Sequence, residues 1–151
     1  MKKLFAFALS LFLLCNHICA NEQGVAQNDK IKIIDPWVRP SSGRPNSAAY
    51  MQIQNRTNED ITVSSAVSEV ANLTELHQSV EERGVMKMHA VDKLVIPARD
   101  TIALKPKGTH IMLMKLKENL EEGQIVKITI NTDNAGSVVV EAPVRKQIMV
   151  E

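Results

Sequence analysis

His110-Ile111-Met112-Leu113-Met114-Lys115-Leu116 decides the fold class. It lacks the 3.6-residue spacing of an amphipathic helix and reads as one short extended run. In a strand, residues two apart face the same side. His110, Met112 and Met114 therefore line one face.

The same texture repeats in both directions. Further strands are expected at Ile31–Val38, Ala48–Gln54, Ile61–Val67, Asn72–Val80, Val85–Val91, Leu94–Ile96, Thr101–Leu104, Ile125–Ile130 and Ser137–Val144. Between them stand turn formers such as Pro40-Ser41-Ser42-Gly43, Glu81 to Gly84, Pro106-Lys107-Gly108 and Asp133 to Gly136. No segment has the helical length that a parallel α/β sheet needs for its crossovers. The expected architecture is all-β, a two-sheet sandwich or Greek-key barrel. Trp37 and Tyr50, the only aromatic residues beyond the first twenty, each fall in an apolar strand and read as core packing. So few aromatics disfavour a site that stacks bases or sugars.

The chain has 151 residues, 44% hydrophobic and 23% charged, the composition of one globular domain rather than of a disordered or polytopic membrane protein. Its start, Met1-Lys2-Lys3 followed by the apolar run Leu4 to Leu14 and then Ala20, has the charged, apolar and cleavage-site order of a secretory signal. The apolar run is about a dozen residues, short of the roughly twenty needed to span a bilayer. We therefore expect a signal over 1–20, a polar lead over 21–30 and a folded domain over 31–151. Lipid attachment at Cys15 or Cys19 is the weaker reading, because neither follows the small residue that such sites favour.

Both cysteines fall within the signal, so the exported domain is expected to have neither a disulfide nor a thiolate metal site. Removing Lys2 and Lys3 from the 18 basic residues leaves 16 against 17 acidic ones. Such a balance gives no basic excess for nucleic acid or anionic lipid.

Methionine and histidine stand out instead. Beyond the signal the chain keeps Met51, Met86, Met88, Met112, Met114 and Met149 with His77, His89 and His110. Met86 and Met88 share one strand face, and His89 points to the opposite one. Thioethers are soft and imidazoles borderline, so a combined set selects Cu(I) over Zn(II), Mg(II) or Ca(II). Any one of these residues alone reads better as core filler or surface decoration than as a ligand. The case rests on the pattern.

His77 is followed by ten residues and Met88, then by twenty-one residues and His110-Ile111-Met112. This spacing resembles the periplasmic copper chaperone family known as the PCu(A)C domain. The flanks agree in order: Ala49-Tyr50-Met51-Gln52-Ile53-Gln54-Asn55, Glu75-Leu76-His77, Gly84-Val85-Met86-Lys87-Met88, Ile96-Pro97-Ala98 and Leu104-Lys105-Pro106. The resemblance implies a cupredoxin-like β-sandwich that binds one Cu(I) through His77, Met88, His110 and Met112. It implies a periplasmic, non-enzymatic role: delivery of copper to cytochrome c oxidase subunit II, alongside a thiol-bearing copper assembly factor. Met86 and Met114 are not motif ligands and read as packing beside the site or in the core.

Gln78 and Ser79 stand where many members carry a methionine, which weakens an auxiliary site. No Met/His-rich tail follows Val144 here, so Cu(II) binding at a second site is not expected. Rival readings are a hydrolytic enzyme, disfavoured by the absence of a Gly-x-Ser-x-Gly motif and of a cysteine nucleophile, a structural exported β-domain, and a copper buffer with the same ligands. A free imidazole titrates near 6.5, so Cu(I) affinity is expected to fall below about that pH.

Overall fold

The computed structural model describes residues 28–147. The expected signal with its two cysteines lies outside the described residues, as do Met149 and most of the polar lead.

Ten strands follow one another in the chain, with no helix among the described residues: β1 (Ile31–Val38), β2 (Asn46–Asn55), β3 (Ile61–Val67), β4 (Ala71–Glu82), β5 (Val85–Ala90), β6 (Leu94–Ile96), β7 (Thr101–Leu104), β8 (Thr109–Leu116), β9 (Ile125–Thr132) and β10 (Ser137–Pro143). They form two sheets. One runs β1-β2-β8-β4-β5, with β7 also on β2; the other runs β10-β9-β3-β6. β2 serves two partners in succession, pairing β8 through Asn46–Ala49 and β7 through Met51–Gln54.

Alternation decides which residues fill the space between the sheets. From the larger sheet come Ile33, Val38, Ile53, Leu76, Ile111 and Leu113; from the smaller come Ile61, Val63, Ile128, Ile130, Val138 and Val140, all buried. Every one of these is an aliphatic side chain, and their burial is the principal favourable contribution to a fold without cross-links.

Trp37 and Tyr50 depart from expectation. Both are buried, yet with Ala48 they form a separate cluster on the outer face of the larger sheet, and Met112 packs against it. The cause is a β-bulge in β1, where Ile34 pairs Gln52 but Trp37 pairs Tyr50. Two residues, Asp35 and Pro36, there oppose the single Met51. Asp35 takes a φ of 46°, and Pro36 has no N–H to give to a ladder. The extra residue reverses the alternation, so Trp37 emerges on the outer face and Val38 takes the inward position.

At the far side of the same sheet, β4 and β5 form a hairpin. Glu82 pairs Val85 across Arg83 and Gly84, whose φ values of 54° and 80° are both positive, as a two-residue turn matched to strand twist requires. β4 is thus longer than expected, and its last four residues, beyond Gln78, have β5 as their only strand partner. β5 is an edge strand exposed along its whole length.

Candidate metal centre

The outer face of the larger sheet collects the soft donors, and the core explains why. β8 is pinned by Ile111 and Leu113, 1% and 0% exposed, so His110, Met112 and Met114 emerge outward. β4 is pinned by Leu76, and Glu75, His77, Ser79 and Glu81 emerge on the same side.

Register then sets the neighbours. His77 lies opposite His110 and Glu75 opposite Met112; Ser79 lies opposite Met88 and Glu81 opposite Met86. The two imidazoles are direct cross-strand neighbours, with ring centroids 6.1 Å apart. Met112 stands one same-face step from His110, and Met88 stands opposite the residue one same-face step from His77. All four sequence-predicted ligands therefore share one patch of one sheet face.

A cleft of about 350 Å³ opens there, lined by Met86, Met88, His110, Met112, Tyr50 and Arg39 among others. His77 borders this patch without lining the cleft. Met86 does line it, at 48% exposure, and so is packing beside the site rather than core. Met114 is half-buried, between Asn46 and Leu73 in the ladder. His89 is exposed, with Nε2 3.6 Å from Glu82 Oε1, away from the candidate ligands as its strand parity requires.

The donors differ sharply in burial. His110 is 5% exposed and Met88 58%. The Nδ1 of His110 lies 3.0 Å from the Gly108 carbonyl. Burial lowers the pKa of His110 below the usual histidine value; the hydrogen bond to Gly108 opposes that shift, and the charges of His77 and Arg39 add to it. The Nε2 of His77 lies 2.9 Å from Glu75 Oε2. Its Nδ1 is the one buried side-chain nitrogen or oxygen among the described residues without a hydrogen-bond partner.

Sequence reasoning missed the row that continues from the histidines. Along the sheet, His110 is followed by Tyr50 at 6.2 Å and then by Trp37 at 4.4 Å between ring centroids. Arg145 closes the row, its guanidinium 5.3 Å from the Trp37 centroid and 2.8 Å from Asp35 Oδ1. Tyr50 and Ala48 line the cleft beside Met112, and Met112 packs against the cluster that they form with Trp37. Burial raises the Tyr50 pKa, with the charge of Arg39 opposing it. Pro36 inside an apparent strand was the available signal, since a proline there marks a bulge or an edge.

No group of three or more His, Cys, Asp or Glu side chains capable of holding a metal occurs among the described residues. The thioethers of Met88 and Met112 are the further soft donors on this face.

Residues 31–144 match the family described as "Putative lipoprotein LpqE-like". A relative, the "Putative lipoprotein Lxx21020" of Leifsonia xyli subsp. xyli (strain CTCB07), is 32% identical over 142 residues, which cover 93% of this chain and 85% of the relative. The solution structure of CuI-DR1885 from Deinococcus radiodurans is similar at 31% identity and a TM-score of 0.59, over 77% of this chain and 80% of that one. The copper-bound PCuAC domain from PmoF2 has the same fold, with a TM-score of 0.68 at 22% identity over 81% of this chain and 98% of that one. The expected cupredoxin-like β-sandwich is thus present, and the chain belongs to the LpqE-like family, built on the PCuAC fold.

Proposed function

We propose that this protein is an exported carrier of Cu(I), not an enzyme, that binds one ion through His77, Met88, His110 and Met112. The observation that carries the reading is the donor set itself. Two imidazoles and two thioethers meet on one face where no cluster of harder ligands exists among the described residues, and such a set favours a soft monovalent ion. All four donors are neutral, so affinity comes from covalency and preorganisation more than from charge. The Cu(I)-loaded relative, 31% identical, supports the same reading.

Delivery follows from the unequal burial of the ligands. His110 and Met112 hang from a central strand, whereas Met88 sits 58% exposed on an edge hairpin. An incoming thiolate or imidazole displaces the exposed thioether first, and the ion passes on by ligand exchange. The acceptor we propose is the copper centre of cytochrome c oxidase subunit II, with a thiol-bearing assembly factor as partner, in the periplasm. The signal-like N-terminus and a family described as a lipoprotein both support export.

The test is an anaerobic Cu(I) titration against a chromophoric chelator, run on the wild type, Met88→Leu and His110→Ala. One equivalent retained by the wild type and weakened in both variants is expected. Failure of the wild type to compete would leave a structural β-domain. Oxidase activity in a copper-limited deletion strain separates a chaperone, whose loss lowers it, from a buffer, whose loss does not.

A further inference from the structure

In each histidine of the centre, one ring nitrogen is already engaged by the protein, and the engaged nitrogen differs. The carbonyl of Gly108 can only accept, so the Nδ1 of His110, 3.0 Å away, carries the proton and Nε2 keeps the lone pair. The ionised carboxylate of Glu75 likewise only accepts. The Nε2 of His77, 2.9 Å from Glu75 Oε2, therefore carries the proton, and the lone pair of the neutral ring lies on Nδ1. That nitrogen is buried and has no partner, a state proteins rarely leave uncompensated.

The carboxylate of Glu75 is within ion-pair distance of no lysine or arginine among the described residues, and His77 is its sole charged or titratable partner. Leu76, buried in the core, fixes the strand between them, so Glu75 and His77 project side by side on the outer face. A carboxylate that accepts the second N–H of a metal-binding histidine fixes its tautomer and strengthens its free nitrogen as a donor.

We propose that Glu75 is a positioning residue of the centre: its contact with the Nε2–H of His77 assigns the copper bond to Nδ1, whereas the Gly108 carbonyl assigns that of His110 to Nε2. This assignment rests on the Cu(I) reading above. The two facing imidazoles then present opposite ring edges to one ion.

The experiment uses the exported protein labelled with ¹⁵N-histidine, first without metal and then with one equivalent of Ag(I), a closed-shell stand-in for Cu(I). Long-range proton–nitrogen correlation without metal is expected to give the Nε2–H form of His77 in the wild type and in Glu75→Gln, whose amide oxygen still accepts. It is expected to give a mixture in Glu75→Leu. With Ag(I), silver–nitrogen coupling is expected at Nδ1 of His77 and Nε2 of His110. Cu(I) affinity should fall by about 10- to 100-fold in Glu75→Leu, as for other outer-shell partners, with recovery in Glu75→Gln. Coupling at Nε2 of His77, or an unchanged tautomer in Glu75→Leu, would overturn the assignment. A wild type that keeps the Nε2–H tautomer but binds neither Ag(I) nor Cu(I) would overturn the metal reading while leaving the Glu75 contact standing.

Discussion

His77 and His110 face each other across the β4–β8 ladder, ring centroids 6.1 Å apart, so their spacing is set by strand register and not by a loop. A one-residue slip would carry either ring to the opposite face of the sheet. The buried Leu76, Ile111 and Leu113 forbid that slip, because it would turn aliphatic side chains out to water. The core thereby sets the positions of candidate ligands on the opposite face of the sheet.

The pH response should follow His110. Its pKa lies below the usual value, chiefly because the ring is buried, so protons displace a metal from it only at lower pH than from a free imidazole. The part of Cu(I) competition that is lost in His110→Ala should stay flat from pH 8 through about 6.5 and weaken only below. The stability of the metal-free protein has a matching sign. Because the native pKa is depressed, the contribution of His110 is fully present above about 6.5 and is lost as pH falls from there through the native value. Urea midpoints measured across this range check the direction, and a rise in stability on acidification would contradict it.

Met88→Leu should separate binding from folding. Met88 is 58% exposed on an edge strand, so its thermal midpoint should correspond to a change within about 0.5 kcal/mol while Cu(I) binding weakens. Leu113→Ala is the opposite case. At 0% exposure it should cost about 3 kcal/mol, read by urea denaturation.

Asn55, 1% exposed, ties two turns to a strand end. Its Nδ2 donates to the carbonyls of Glu59, Ile96 and Pro97, and its Oδ1 accepts from the Thr57 amide and hydroxyl. Asn55→Ala removes these bonds at a buried position and takes the acceptor from the Thr57 amide, while the carbonyls of Glu59 and Pro97 keep the Thr57 hydroxyl and the Asp100 N–H as donors, and a loss of about 2 kcal/mol is expected. Asn55→Asp keeps the acceptor but places a charge against three carbonyls, and should be no better tolerated.

Gly84→Ala tests the turn that presents Met86 and Met88. The added Cβ would meet nothing within 4 Å, so the cost arises from the φ of +80° alone, about 1 kcal/mol. Global stability should drop by about that amount, and Cu(I) affinity should fall with it as the hairpin loses order.

The alternation of β-branched and polar residues made most of the sandwich legible: the expected bounds of Ile31–Val38, Ile61–Val67, Leu94–Ile96 and Thr101–Leu104 are those observed. β4 runs beyond Val80 because a hairpin turn needs only Arg83 and Gly84, whereas the charged run Glu81-Glu82-Arg83 reads as a loop. The shared face of His110 and Met112 was equally legible, being a matter of parity within one strand. The row from Trp37 through Tyr50 to His110 was not. It depends on a bulge that reverses parity and on pairings between distant strands, which no local pattern carries. In the sequence Glu75 is only a flank of His77, for the role proposed for it exists only in the geometry of two side chains.

Because β5 has a single ladder partner and no buried residue, its amides should exchange with solvent through local opening, far faster than those of β8. The two halves of the centre would then belong to units of different stability. An ion gripped by both would slow exchange in the hairpin selectively, so metal occupancy would be written in the protection of backbone amides on β5, and loss of the ion would restore their opening without unfolding the sandwich.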